Sequence, residues 1–528
     1  MSGVQQTTDN DTPYTRGEDS GQNQWTWQHY NATVGYDGTF GRHVVSASAG
    51  ILYNIYKTDF SQNGAAGKMV EYRHMTVNGA VNYAYDDRYV ATFSFAADGS
   101  DNYRPGNRWG FYPSLGLGWI VSRERFLRDS RTVDLLKLRA SVGKNGWDPM
   151  GEMRYLWEGY YTGRGGLNTG NSEHTWHGGT ALSYLPNPGI FAEKSLKYDA
   201  GIDLRLWNRL SLNVDLFLEK RSGIVTQDWM IPGASGVDNP PYRNIGRMTN
   251  KGFEVQLSWA DRIGDFNYAL TGMASYNSNK VDYMAEVVTV PTAARTGRRL
   301  DALFGYVADG FYDWDDFDVG GELREGLPKP TFGAVQPGDI KYKNLNGDTV
   351  IDENDQTAIG DSYLPKLQYS FSLAASYKGF DLFALFQGAA GRDVNLLDAP
   401  LQNIAFRDNG NVYGIAEGRW AYYPEQGIDT RATATYPRLS LQDNSNNYRN
   451  STLWKRSGDF LKLRNVELGY TFAQPSLSKA GISKIRIYLS GVNLLTVSRL
   501  MRDYDIDPEI LSGHPALKSY NLGLTVTF

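Results

Sequence analysis

The segment 344–355 has the residue types and spacing of a calcium-binding loop. Oxygen-bearing side chains occupy positions one, three, five, nine and twelve of such a loop, and the backbone carbonyl of position seven is the remaining candidate. Three deviations weaken the match: Asn at position one, Thr349 instead of Gly at position six, and Asp instead of Glu at position twelve. The alternative is an Asx- and Gly-rich turn without metal. The candidate ligands are Asn344, Asn346, Asp348, Val350, Asp352 and Asp355.

A second segment, 313–318, combines acidic and aromatic side chains. Aromatic rings with polar neighbours are suited to contact with a ligand or a partner protein, and the alternative is a solvated loop. The candidates for such contact are Trp314, Asp315, Asp316 and Phe317. Other aromatic residues predicted to lie in loops could stack on sugar rings or simply pack, among them Trp25, Trp27, Tyr160, Tyr161, Trp176 and Trp229.

The sequence carries no residue pattern of an enzyme. Six His residues include His174 and His177, but no HExxH spacing accompanies them, and neither a nucleophile elbow nor a P-loop occurs. The absence of Cys excludes disulfides and Cys-based zinc sites. A net charge of -5 argues against nucleic-acid binding, which normally needs a basic patch. We therefore predict a protein that is not an enzyme and requires no cofactor, with calcium as the one candidate.

The dominant pattern in the chain is alternation with period two, which places successive side chains on opposite faces of a strand. In 209–219, Leu and Val residues occupy one face and charged or polar residues the other. Many such runs span about ten residues, which is longer than the usual soluble strand of about five or six. We predict roughly fifteen strands, near 29–37, 42–57, 72–85, 88–97, 109–121, 135–145, 196–207, 209–220, 251–260, 265–277, 366–377, 380–390, 460–472, 484–496 and 519–528.

The connections between these strands alternate between short and long. Two to five residues suffice at four of them, whereas four others cover roughly 146–195, 221–250, 278–365 and 391–459. Short periplasmic turns alternating with long extracellular loops are typical of outer-membrane barrels. The sequence thus predicts an all-β fold, an antiparallel transmembrane β-barrel in contact with outer-membrane lipid. A mean hydropathy of -0.46 fits, because only alternate residues face lipid.

Both ends of the chain carry further information. The last strand places Tyr520, Leu522, Leu524, Val526 and Phe528 on one face, and its terminal aromatic residue resembles the signal read by the outer-membrane assembly machinery. The first ten residues lack the features of a signal peptide. Counting strands back from Phe528 places 1–28 in an extracellular loop. Since bacterial barrels have an even number of strands, 29–528 is interpreted as the C-terminal part of a barrel whose plug and first strands are absent.

Several motifs, in order along most of the chain, resemble those of the SusC/RagA-like TonB-dependent transporters of Bacteroidetes. They include Asp98-Gly99-Ser100, Arg108-Trp109-Gly110-Phe111-Tyr112-Pro113-Ser114, Asn250-Lys251-Gly252-Phe253-Glu254, Pro337-Gly338-Asp339, Leu461-Lys462-Leu463-Arg464-Asn465, Ser490-Gly491-Val492-Asn493 and Asp507-Pro508-Glu509. The resemblance implies a barrel of about 22 strands, of which this chain holds about the last 15.

The resemblance also implies a function: active import of nutrients, oligosaccharides or peptides, across the outer membrane. The implied partners are a SusD-like surface lipoprotein, which the acidic and aromatic segment could contact, and the TonB complex, acting through the missing N-terminal part. Alternatives are a passive porin, a siderophore-type TonB-dependent receptor, or a soluble all-β carbohydrate-binding protein. The residues themselves do not identify the substrate.

Overall fold

A computed structural model describes residues 3–8, 24–58, 70–148, 154–159, 161–170, 175–235, 239–288, 290–399, 403–406, 410–441, 444–472 and 481–528. The chain divides into two compact units. Unit 1 comprises 1–204, 215–251 and 282–287, and unit 2 comprises 205–214, 252–281 and 288–528.

Sixteen strands form one large sheet, and they follow one another in it in chain order. They are β1 (Gly3–Thr8), β2 (Gln24–Phe40), β3 (His43–Thr58), β4 (Val70–Tyr85), β5 (Tyr89–Ser100), β6 (Trp109–Ile120), β7 (Val133–Trp147), β10 (Glu193–Leu206), β11 (Leu210–Gln227), β12 (Tyr242–Ile263), β13 (Phe266–Tyr283), β20 (Leu367–Tyr377), β21 (Phe380–Ala390), β26 (Phe460–Phe472), β27 (Lys484–Ser498) and β28 (Ser519–Thr527). All fifteen predicted strands are present, most of them longer than predicted.

The prediction of a loop over 1–28 is wrong in two places. Gly3–Thr8 forms β1, which pairs antiparallel with β2, and β2 begins at Gln24 instead of near residue 29. The polar sequence of β1 has no alternation, so its strand conformation depends on pairing with a neighbour. Trp25 and Trp27, predicted in a loop, consequently lie in β2.

The two faces of the sheet differ in polarity, as the alternation predicts. In unit 1, one face carries large apolar side chains that are exposed, such as Val34 (69%), Phe93 (45%) and Leu117 (56%). Exposed apolar residues along consecutive strands are typical of a surface that contacts lipid. Polar residues such as Ser94 and Ser114, whose hydroxyls lie 2.8 Å apart, occupy the opposite face, which faces the lumen in an outer-membrane barrel.

Short turns close several of the hairpins at one end of the strands. Lys378 (φ 47°) and Gly379 (φ 90°) form a two-residue connection between Tyr377 and Phe380. Positive φ at both central residues matches the right-handed twist of the flanking strands, which explains the short turn.

The described parts of the long connections contain buried cores. In unit 2, twelve buried residues pack together, among them Ile340, Tyr342, Ile351, Tyr436 and Trp454. Short strands frame this core: β14 (Leu303–Gly305), β15 (Ala308–Phe311), β16 (Lys329–Pro330), β17 (Ile340–Tyr342), β18 (Val350–Ile351), β19 (Thr357–Gly360), β22 (Asp393–Asn395), β23 (Tyr422–Tyr423), β24 (Ile428–Asp429) and β25 (Lys455–Ser457).

In unit 1, a smaller core joins Tyr103, Leu156 and Ile190. The same unit contains the hairpin of β8 (Tyr161–Thr169) and β9 (Thr175–Leu182). The helices are short. The α-helix α1 spans Arg499–Tyr504, and 3₁₀-helices span Val121–Arg123, Gly233–Ser235, Pro291–Ala293, Trp314–Asp316, Glu353–Asp355, Leu396–Asp398, Gly414–Gly418 and Pro424–Gln426. Among the described residues, every helix is too short or too polar to cross a membrane.

Candidate functional site: an aromatic cavity and further candidate segments

In unit 1, two rows of side chains cross the polar face of the sheet, where β2 begins and β3 ends. The register pairs Trp27 with Tyr56 and Tyr56 with Tyr72, which places three aromatic side chains in one row. Two residues further along each strand, a second row lies on the same face, because alternate residues point the same way. This row consists of His29, Asn54 and His74.

These rows form part of the wall of a cavity of about 700 Å³, which we call the aromatic cavity. Its volume is within the range of about 300–1,000 Å³ found for ligand pockets. It lies at the end of the strands that carries the long connections. The lining residues are Trp25, Trp27, Asn54, Tyr56, Tyr72, His74, Asp98, Gly146, Trp147 and Asp148.

Two carboxylates supply the main polar groups of the aromatic cavity. Asp98 lies 2.9 Å from His74 Nε2 and accepts a 2.6 Å hydrogen bond from the Thr76 hydroxyl. Asp148 Oδ1 accepts hydrogen bonds from Asn102 Nδ2 (2.9 Å) and the Tyr103 hydroxyl (2.7 Å). Its other oxygen, Oδ2, is buried and has no partner among the described residues. A buried carboxylate oxygen without a hydrogen bond lowers the stability of the fold. Asp148 Oδ2 can therefore accept a further hydrogen bond.

Side chains outside the aromatic cavity hold its wall in place. The guanidinium of Arg154, almost fully buried, lies 3.2 Å from the centre of the Tyr72 ring and 4.4 Å from that of Tyr155. Arg154 Nη2 also donates to Asp101 Oδ1 (3.2 Å) and to the carbonyl oxygen of Glu71 (3.0 Å). Burial, with the neighbouring Asp148 carboxylate, raises the pKa of the Tyr103 hydroxyl, which therefore remains a hydrogen-bond donor.

Trp25 and Trp27 were predicted from the sequence as candidates, whereas Tyr56, Tyr72 and the His74–Asp98 pair were not. The strands that carry them were predicted, so a correct register for the 42–57 and 72–85 pair would have aligned them. Tyr160 and His174 lie outside the described residues. Among the other candidates, Tyr161, Trp176 and Trp229 are exposed.

The acidic and aromatic segment in unit 2 forms a capped 3₁₀-helix over Trp314–Asp316. Asp313 caps it and lies 3.4 Å from Arg431 Nη1, and Asp316 lies 3.1 Å from Lys341 Nζ. Trp314 is 56% exposed and Asp315 is exposed, so both are available for contact.

Phe317 differs from the other candidates in this segment. It is buried in a small core with Tyr312, Val335 and Leu323, so its ring is unavailable to a partner and instead anchors the segment. Burial, followed by the Asp316 and Asp339 charges, raises the pKa of Tyr312 to about 12.

The candidate calcium loop is a compact turn in which side-chain oxygens accept backbone hydrogen bonds. Asp348 Oδ1 accepts from Val350 N (2.8 Å), and buried Asp355 accepts from Leu345 N (2.7 Å) and Asp352 N (2.9 Å). Asn344 and Asn346 likewise cap the turn. Among the described residues, no group of three or more His, Asp or Glu has the geometry of a metal site. Calcium binding stays a prediction.

Asp339, in the Pro337-Gly338-Asp339 motif, anchors the long connections of unit 2. We call these connections, between β13 and β20 and between β21 and β26, the outer segments. The Asp339 carboxylate is fully buried and lies 2.7 Å from Arg438 Nε. It also accepts hydrogen bonds of 2.9 Å from both Asn444 and Asn447. One carboxylate thereby joins two segments about a hundred residues apart.

A second buried ion cluster lies in unit 2 at the start of β26. Lys462, with 1% of its side chain exposed, contacts Asp507 Oδ1 (2.7 Å) and Glu509 Oε2 (2.8 Å). Arg464 pairs with the other oxygen of Glu509 and donates to Gln387 Oε1 (2.9 Å). Burial opposes ionisation of Asp507, but the hydrogen bonds from Lys462 and the backbone hold its pKa below the usual range. Burial also opposes ionisation of Glu509, and the hydrogen bonds from Arg464 and Lys462 lower its pKa. The cluster ties β26 to the connection before β28.

A long-stranded antiparallel sheet with an exposed apolar face, a polar face and long outer segments defines the class: an outer-membrane β-barrel. The chain belongs to the TonB dependent receptor-like, beta-barrel family, whose model matches residues 2–494.

Curated relatives and solved structures agree with this assignment. TonB-dependent receptor P3 of Formosa agariphila is 26% identical over 93% of this chain and 51% of its own length. TonB-dependent receptor SusC of Bacteroides thetaiotaomicron is 25% identical over 85% of this chain and 43% of its own. The structure of the RagAB peptide transporter matches with a TM-score of 0.71 at 21% identity, over 96% of this chain and 56% of that one. The predicted SusC/RagA-like type and outer-membrane location are confirmed. The chain spans about half the length of these relatives.

Proposed function

We propose that this chain is the barrel part of a receptor that actively imports nutrients, oligosaccharides or peptides, across the outer membrane. Energy would come from the TonB complex, and a SusD-like surface lipoprotein would deliver substrate at the outer segments. Membership of the TonB-dependent receptor-like barrel family is the observation that carries the proposal.

The polar face provides a site where a substrate could bind before it is imported. The aromatic cavity lies on this face, at the strand ends that carry the long connections. Aromatic surface with a few polar groups is the usual composition of a small-molecule site.

The outer segments of unit 2 provide a surface for the lipoprotein. They have their own buried core and present exposed side chains such as Trp314 and Tyr423. A surface whose backbone is fixed loses little conformational entropy when it binds a partner.

A deletion of the gene in its native host tests the proposal. We expect the deletion strain to lose uptake of one class of fluorescently labelled oligosaccharides or peptides, and a plasmid copy to restore it. Uptake should stop when a protonophore removes the proton-motive force, and an affinity-tagged receptor should co-purify a surface lipoprotein.

Other outcomes would point to the alternatives. Uptake that depends on the gene but resists the protonophore would indicate a passive pore. Loss of iron uptake alone would indicate a siderophore receptor. Either result would refute active nutrient import by this protein.

A further inference from the structure

We propose that the aromatic cavity binds an uncharged sugar ring, which makes neutral oligosaccharides the substrate class. This inference rests on the import proposed above and names the substrate of the same site.

The aromatic residues face the wrong side of the sheet for a role in lipid contact. Trp27 (46% exposed) shares its face with His29 and Asn54, and Trp147 (57% exposed) shares its face with Arg139. Interfacial Trp residues of a membrane barrel lie on the opposite, apolar face. A large aromatic surface is therefore exposed on the polar side among the described residues.

The geometry of the rings suits a flat ligand with polar edges. The ring centres of Trp25 and Tyr56 lie 6.4 Å apart, and those of Tyr56 and Tyr72 lie 5.7 Å apart, so the rings form a continuous wall. A pyranose ring has C–H bonds on its faces and hydroxyl groups at its edge. Its faces can pack on such a wall while the hydroxyl groups reach the polar lining residues.

The charges around the aromatic cavity disfavour an anionic ligand. Among the described residues, its ten lining residues include Asp98 and Asp148 but neither Lys nor Arg. A uronic acid, a sulfated sugar or a peptide carboxylate would bring like charge towards Asp148, and the guanidinium of Arg154 lies behind the Tyr72 ring and does not line the cavity.

A cationic ligand is also disfavoured. Asp98 is already paired with His74, and the Arg154 guanidinium already lies against the ring of Tyr72, 3.2 Å from its centre. A second cation at this wall would meet a positive charge behind it.

The hydrogen-bonding groups that line the aromatic cavity suit the hydroxyl groups of a ligand. Asn54 uses its side-chain oxygen for His29 Nδ1 (2.7 Å), which leaves its amide group for a ligand oxygen, and the Asp148 carboxylate is among the groups that line the aromatic cavity. A neutral donor satisfies the carboxylate without adding a charge to the site.

Binding to the full receptor, purified from outer membranes in detergent, tests the inference. The probes are neutral hexasaccharides of glucose and of mannose in different linkages, hexagalacturonate as the charged counterpart, and a mixture of hexapeptides, measured by calorimetry. We expect at least one neutral hexasaccharide to bind, and hexagalacturonate and peptides to bind at least about tenfold more weakly, a difference of about 1.4 kcal/mol.

Variants locate the site. Trp27→Ala and Trp147→Ala should each weaken binding of the neutral probe by about tenfold, because each removes stacking surface. Trp109→Ala is the matched control, since Trp109 is 58% exposed on the apolar face of the same unit. Trp27→Phe, which keeps a ring, should retain most of the affinity, and heat-dependent mobility on gels checks folding of every variant.

Three results would overturn the inference: no neutral probe binds, hexagalacturonate or peptides bind better, or both Trp variants bind the neutral probe like the control. Import of a charged or peptide substrate would leave the proposed function standing and refute only this inference. Neutral-sugar binding by a receptor whose deletion leaves uptake unchanged would refute import alone.

Discussion

Substitution of Lys462 by Met tests how the buried ion cluster of unit 2 contributes to stability. Lys462 has 1% of its side chain exposed and Asp507 has 3%, so the pair is almost completely removed from water. Lys462→Met keeps most of the side-chain volume but leaves the Asp507 carboxylate buried without its cation. Breaking a buried pair in this way typically costs about 3–5 kcal/mol.

The pH dependence of this loss follows from the direction of the pKa shifts. In the natural protein the pKa values of Asp507 and Glu509 are lowered, so their contribution to stability is present above the unfolded-state pKa of about 4 and is lost as pH falls through the folded-state values. In Lys462→Met, burial acts on Asp507 without Lys462 and raises its pKa. Protonation then relieves the unpaired charge, so the cost of the substitution should be largest at pH 7 and smaller towards about pH 4.

Urea unfolding of the full receptor in lipid vesicles, followed by tryptophan fluorescence, measures the free energy of unfolding. Lys343→Met is the control, because Lys343 forms an exposed ion pair with Asp309 (3.6 Å), and such pairs contribute about 0.2–1 kcal/mol. Adding Asp507→Asn to Lys462→Met should recover part of the loss, since it removes the unpaired charge. A Lys462→Met variant that is no less stable than the control at pH 7 would refute this reasoning.

Three further predictions concern the outer segments of unit 2. Asp339→Ala should lower the free energy of unfolding by at least about 1.5–3 kcal/mol, because the charged hydrogen bond from Arg438 is lost and buried donors remain without an acceptor. Limited proteolysis should then cleave within 391–459 faster than in the natural protein. Unchanged cleavage would contradict the anchoring role. Trp314→Ala should reduce co-purification of the lipoprotein at unchanged receptor yield. Phe317→Ala should destabilise the fold by about 3–5 kcal/mol and thereby lower the receptor yield. Equal yields of the two variants would count against the buried role of Phe317. If the 344–355 loop binds calcium, millimolar Ca²⁺ should raise the melting temperature relative to EGTA, and Asp348→Asn should remove that difference; identical melting with and without Ca²⁺ would indicate a metal-free turn.

Local patterns were sufficient to predict most of the strands. The alternation in 209–219 and in the last strand depends only on neighbouring residues, because one face contacts lipid and the other does not. β1 was missed because Gly3–Thr8 is polar and short, and it becomes a strand by pairing with β2. The long connections were predicted as loops because their short strands and 3₁₀-helices have no period long enough to detect.

The candidate sites depend on contacts that local sequence patterns do not predict. The sequence by itself determined the strand faces, the absence of enzyme motifs and the family resemblance. Only the tertiary structure decided that Phe317 is buried, that Tyr56 meets Tyr72 across a connection, and that Lys462 pairs with Asp507 45 residues away. The physical reason is that a strand's periodicity is set by adjacent residues, whereas register and ion pairing depend on contacts between residues far apart in the chain.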